Sequence, residues 1–100
     1  MLIPDIIVDL KFYKTEETGR KTPTSSTFFG CIFSINNDKH DCRLLLHEVG
    51  QIWPGESKAD VPIKFLCPEL VLPKLQKGSR FYLWEGKNIA EGKIKEIKAR

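Results

Sequence analysis

Residues 78 to 97 read Gly78-Ser79-Arg80-Phe81-Tyr82-Leu83-Trp84, then Glu85-Gly86-Lys87-Asn88, then Ile89-Ala90-Glu91-Gly92-Lys93-Ile94-Lys95-Glu96-Ile97. Successive side chains of a strand point to opposite faces, so Phe81 and Leu83 share one face and Tyr82 and Trp84 the other. The four residues between the two runs suit a reversal: Gly86 supplies positive φ without steric cost, and Asn88 tolerates it. Two strands alone are only marginally stable in water, so the rest of the chain must build a sheet around this hairpin.

The preceding residues supply strands and no long helix. Asp5 to Lys14 places Ile6, Val8, Leu10 and Phe12 on one face, with Asp9, Lys11 and Tyr13 on the other, the pattern of a strand with one dry side. Thr15 to Ser26 is polar, with Pro23 holding Thr22 extended, and reads as a loop of the length that is used for binding or stays mobile. Thr27 to Ile35 is a second strand in which Phe28, Cys31, Phe33 and Ile35 compete for the inside. Its alternation breaks at Phe29-Gly30, where Gly30 marks a bulge or a close backbone approach. Asn36 to Lys39 is a turn and Cys42 to Val49 a third strand. Gly50 to Asp60 is a loop around Trp53-Pro54-Gly55, and Val61 to Cys67 a fourth strand, whose Pro62 suits an edge or first position. Leu70 to Leu75, interrupted by Pro73, reads as an irregular or strand-like connection and not a helix. No apolar stripe of period 3.6 persists for a helix of ten or more residues.

About six strands without a crossover helix predict an all-β fold. A small closed antiparallel barrel removes exposed sheet edges. One hundred residues fit a single domain with its core over about 5 to 97. The core residues expected are Val8, Leu10, Phe12, Phe33, Leu45, Ile63, Phe65, Phe81, Leu83 and Ile94.

The net charge of +3 is unevenly spread. Residues 74 to 100 carry eight Lys or Arg against three Glu, and residues 1 to 73 carry eight basic against ten acidic residues. A basic end suits an anionic surface such as RNA, while lysines on a hairpin also keep it from pairing with other chains. Cys31, Cys42 and Cys67 are odd in number and widely spaced, which fits reduced thiols in the cytoplasm better than a disulfide framework. The first residues show no signal-peptide pattern and no stretch is apolar over the length of a bilayer, so no membrane partner is expected.

In order along the chain stand Glu16-Glu17-Thr18-Gly19-Arg20-Lys21-Thr22-Pro23, Trp53-Pro54-Gly55-Glu56, Phe65-Leu66-Cys67-Pro68, and Gly78-Ser79-Arg80-Phe81-Tyr82-Leu83-Trp84-Glu85-Gly86. These resemble the Gly-Arg-His-Thr-Pro loop, the Met-Pro-Gly-Asp turn, the Leu-Ile-His-Pro segment and the Gly-Leu-Arg-Phe-Ala-Ile-Arg-Glu-Gly strand of the third, C-terminal β-barrel domain of bacterial translation elongation factor Tu. The resemblance spans roughly residues 5 to 97. It implies a small barrel that touches the acceptor and T stem of aminoacyl-tRNA, its companion domains and an exchange factor. Three positions depart from it: Lys21 stands for a histidine, Thr27-Phe28-Phe29-Gly30 replaces a Tyr-Arg-Pro segment, and the last turn is one residue shorter. No Gly-rich phosphate loop is present, so neither a bound nucleotide nor GTP hydrolysis is expected.

Lys14, Arg20, Lys21 and Thr22 form a basic, hydroxyl-bearing loop of the kind that meets phosphates and 2′-hydroxyls of structured RNA such as tRNA. Trp53, Tyr82 and Trp84, the last two beside Arg80, are residue types that anchor a protein partner or on which bases stack, and Lys87 belongs to the basic C-terminal hairpin that with the Lys14 to Pro23 loop forms the expected surface. Catalysis has little to build on. His40-X-Cys42 and Cys42-X4-His47 are not zinc spacings, and a Cys-His hydrolase would need Cys42 with His40, or Cys31 with His47, across strands. No metal and no cofactor is expected. The sequence therefore predicts a non-enzymatic module for a protein partner, with structured RNA as the alternative.

Overall fold

The computed structural model describes residues 3–18 and 20–98 and shows a closed, all-antiparallel six-stranded barrel. The strands are β1 (Ile6–Phe12), β2 (Phe28–Ile35), β3 (Asp38–Leu45), β4 (Ser57–Phe65), β5 (Arg80–Trp84) and β6 (Asn88–Ile97). Around the barrel their order is β1-β4-β3-β2-β5-β6, and β6 pairs back to β1. Antiparallel pairing throughout puts the ends of β1, β3 and β5 at one rim with the starts of β2, β4 and β6. The connections 13–27, 46–56 and 85–87 meet there, while 36–37 and 66–79 close the opposite rim.

The interior follows the alternation of the sequence. All ten expected core residues are buried, and Phe33 stacks on Phe81 at 4.4 Å while meeting Phe65 edge-on at 4.9 Å. Gly92 lies opposite Phe81, and the Phe81 ring occupies the space a side chain would take there. Leu46, Ile52 and the half-turn around Thr24 plug the first rim. Thr24 donates its N–H to the Ile52 carbonyl at 2.9 Å, and its Oγ1 accepts the Ile52 N–H at 2.9 Å. Asp5, wholly buried at the other rim, accepts the Phe65 N–H at 2.8 Å, with the Lys64 ammonium 3.8 Å away.

Several local expectations need correction. The β2–β3 turn is only Asn36-Asn37, both at positive φ (49° and 69°), the two-residue reversal that matches strand twist. Asp38 and Lys39 therefore already belong to β3. Register from Phe28↔Leu45 to Ile35↔Asp38 is unbroken and a Cβ on Gly30 would meet nothing, so Gly30 marks neither a bulge nor a close approach. The third strand ends at Leu45, and β4 begins at Ser57, four residues earlier than its apolar run. Its register with β1 shifts opposite Asp9, where Asp60 takes a φ of 56°; Lys95 bridges Asp9 and Asp60 at 3.4 and 2.8 Å. Pro62 is inside β4, opposite Ile7 and one residue outside the Ile63–Phe65 stretch that pairs with β3.

The connection after β4 is helical, contrary to the irregular or strand-like reading. Pro68 opens a one-turn helix (Pro68–Val71) as a proline can, because its missing N–H needs no partner in the first turn, and a 3₁₀ turn (Leu72–Lys74) follows. Val71 and Leu75 are buried in the core. The first loop also holds a helical turn, Thr15–Thr18, whose Glu17 carboxylate accepts the Lys14 N–H at 2.9 Å. Asn88 is not at positive φ; it opens β6 opposite Trp84, and Gly86 (φ 77°) alone supplies the reversal. Among the described residues, no helix is long and apolar enough to cross a membrane.

Candidate functional site

The barrel separates the nine sequence-derived candidates into two regions. At the first rim, Arg20 is drawn into the structure: its guanidinium pairs with Glu85 at 2.7 Å and lies 4.8 Å above the Phe29 ring, with 17% of its side chain exposed. It thereby ties the first loop to the β5–β6 turn. Lys14, Lys21 and Thr22 on that loop are exposed, as is Lys87 on the turn. Gly19, within the same motif, lies outside the described residues. Trp53 is 51% exposed on the β3–β4 connection. Its N–H donates to the Glu56 carboxylate at 3.0 Å, a bond that holds the Glu56 carboxyl below its ordinary range. Gly55 donates to the Tyr13 carbonyl at 3.1 Å, so Trp53 and Lys14 stand on neighbouring turns.

The second region is the outer face of β5 and β2. Arg80, Tyr82 and Trp84 point outward in sequence while Phe81 and Leu83 point in, as the alternation requires. The 66–79 connection leaves this face open: Tyr82 remains 46% exposed. Ser34 lies opposite both Lys39 of β3 and Tyr82 of β5, which sets Lys39, Ser34 and Tyr82 in one row across three strands. The Lys39 ammonium sits 5.4 Å from the centre of the Trp84 ring. Ser34, Lys39, Arg80, Tyr82, Trp84 and Asn88 line a depression of about 540 Å³. Beyond it, Glu91 stands opposite Tyr82; burial and the Glu91 carboxylate push the Tyr13 hydroxyl up to about 12.

Trp84 also borders a second groove, of about 690 Å³, with Gly30, Ile32, Arg43 and Lys64. Here Arg43 lies 5.4 Å over the exposed ring of Phe28, and His47 meets the same ring edge-on at 4.8 Å. Trp84 is thus a half-buried ridge between two hollows, with Arg80 and Lys39 on one side and Arg43 and Lys64 on the other. Sequence reading reached Arg80, Tyr82 and Trp84 but missed Lys39 and Arg43. Lys39 was placed in a turn, and the register that brings Arg43 to the groove is a property of the closed barrel.

Cys31 and Cys42 lie opposite one another with their sulfurs 3.7 Å apart, and His47 packs against Phe28. Among the described residues, no group of three or more His, Cys, Asp or Glu side chains could hold a metal ion. The chain matches no protein-family model and no curated protein.

Proposed function

We propose that the chain is a non-enzymatic cytoplasmic module that binds a protein partner across the Trp84 ridge. One observation carries this reading: Trp84 lines both hollows, so an aromatic anchor stands at the centre of the surface with Tyr82 and Arg80 beside it. Trp, Tyr and Arg supply most of the energy at protein interfaces, chiefly where neighbouring contacts exclude water from them. The cations at the margins, Lys39, Arg80, Arg43 and Lys64, favour a partner segment with acidic residues around an apolar centre. The likeness to the third domain of elongation factor Tu belongs to this proposal. Its support is that the four motifs fall on the first loop, the β3–β4 turn, the end of β4 and the β5 strand of a six-stranded barrel. Against the RNA alternative stands Arg20, the first-loop arginine, whose charge is satisfied by Glu85.

The test is affinity capture from a cell extract after ribonuclease treatment, comparing the unchanged chain with Trp84→Ala and Tyr82→Ala. A discrete protein recovered by the unchanged chain, weakened at least about tenfold by Trp84→Ala as loss of a central aromatic anchor implies, is the expected result. The same proteins are titrated with transfer RNA across a salt series. Tight binding that falls steeply with salt, the signature of counterion release, and that Trp84→Ala leaves unchanged, would replace the protein-binding reading with the RNA one.

A further inference from the structure

We infer that Cys31 and Cys42 form a cross-strand dithiol–disulfide couple, oxidised within one chain by a low-molecular-weight disulfide. The inference is independent of the partner proposed above. Cys31 of β2 and Cys42 of β3 are direct partners in an unbroken antiparallel register, and their sulfurs are 3.7 Å apart. Residues directly opposite in such a pair have Cα atoms about 4.5–5.5 Å apart, within the span of about 4.4–6.8 Å that a disulfide bridges. Bond formation therefore needs closure of the sulfurs and no sliding of strands. The two-residue turn at Asn36-Asn37 fixes that register, because a slip by one residue would send one thiol outward.

Both side chains lie on the core side of the barrel wall, because the neighbours that alternate with them, Gly30, Ile32, Asp41 and Arg43, face outward onto the 690 Å³ groove. They keep only 9% and 7% exposure, too little for a second protein chain to reach the pair, so the bond closes within one chain. The neighbouring Cys31 sulfur and burial push the Cys42 thiol well above its ordinary range, and the two sulfurs share a hydrogen bond. Cys67, half-buried at the start of the Pro68–Val71 helix, has no such partner across a strand and is not part of the couple.

The exchange balances as follows. One cysteine thiolate attacks a sulfur of the small disulfide, forming a mixed disulfide and expelling one small thiolate. The second cysteine thiolate then attacks the protein-side sulfur, closes the Cys31–Cys42 bond and expels the other. Two electrons pass from the cysteines to the small disulfide, whose two halves leave as thiols with the two protons.

The test uses the full chain carrying Cys67→Ser, incubated with a large excess of oxidised glutathione, then denatured, alkylated and weighed intact. The expected product is a monomer lighter by two hydrogen atoms, with no alkylated cysteine, no retained glutathione and a Cys31–Cys42 cross-linked peptide. Its melting temperature should exceed that of the reduced form by about 4 °C or more, because the cross-link restricts the unfolded chain. Two alkylated cysteines, a retained glutathione adduct, a cross-link between chains, or an oxidised form that melts no higher than the reduced one would each overturn the inference. Cys31→Ser in the same background serves as the control and should lose no hydrogen pair.

Discussion

Gly92→Ala is expected to destabilise the barrel by about 3 kcal/mol, the upper range for forcing extra volume into a packed interior, and to lower the melting temperature by more than about 10 °C. A Cβ at this position would stand 2.3 and 2.8 Å from two atoms of the Phe81 ring and 2.9 Å from the Asp9 carbonyl oxygen. Phe81 has nowhere to withdraw, since it is buried and stacked on Phe33 at 4.4 Å. The carbonyl belongs to β1, which is paired to β6 on the other side of Gly92. Relief would need a shift of strand and ring together. Equilibrium unfolding in urea measures the loss, and a change below about 1 kcal/mol would show that the ring does not lie over the glycine. Shrinking the ring should restore part of it, so Gly92→Ala combined with Phe81→Leu is expected to lose less than the sum of the two single changes.

Phe33→Ala should cost about 3–5 kcal/mol, the usual range for a buried phenylalanine replaced by alanine. Phe33 is fully buried, stacked on Phe81 and edge-on to Phe65, so its ring joins side chains from β2, β4 and β5. Its removal leaves a cavity that strands paired on both sides cannot collapse to fill. A small domain has only about 5–15 kcal/mol of total stability, so the variant should approach unfolding at physiological temperature. Denaturation midpoints for Phe33→Ala and Phe33→Leu provide the check: the leucine variant should retain more than half of the lost stability. Equal losses in the two would contradict the cavity account, because leucine refills most of the lost volume.

These two residues also show what was legible in the sequence. Phe33 and Phe81 are in alternating runs, and alternation alone places them inside. The role of Gly92 is not visible locally, because it depends on the register between β5 and β6 and on the approach of β1 from the other side. The same divide runs through the strand boundaries. Ser57 to Asp60 reads as loop because it holds no large apolar residue, yet it continues β4 on its wet side, through the irregularity at Asp60 that Asp9 and Lys95 hold. Pro68 reads as the end of a strand, and burial of Val71 and Leu75 accompanies the helical turns that the structure places there instead. Thr24 looked like an ordinary loop residue. Its burial follows from Ile52, twenty-eight residues away, which no local pattern reports.

The proposed binding face divides likewise. Arg80, Tyr82 and Trp84 were legible because period two sets them opposite Phe81 and Leu83. Arg20 was legible as a basic loop residue, but its capture by Glu85 was not, since the two are sixty-five positions apart. Lys39 and Arg43 join the face only through the Asn36-Asn37 turn and the closure of β2 onto β5. The Cys31–Cys42 pairing follows from that same turn.

Site-specific photocrosslinking tests the central claim most directly. A photoreactive side chain is placed at position 82, on the Trp84 face, or at the exposed position 48 on the β3–β4 connection, and each protein is irradiated in ribonuclease-treated extract. A discrete protein adduct from position 82, absent from position 48 and lost when Trp84→Ala is added, is the predicted result. An adduct from position 48 with none from position 82 would contradict the account and move the interface off this face.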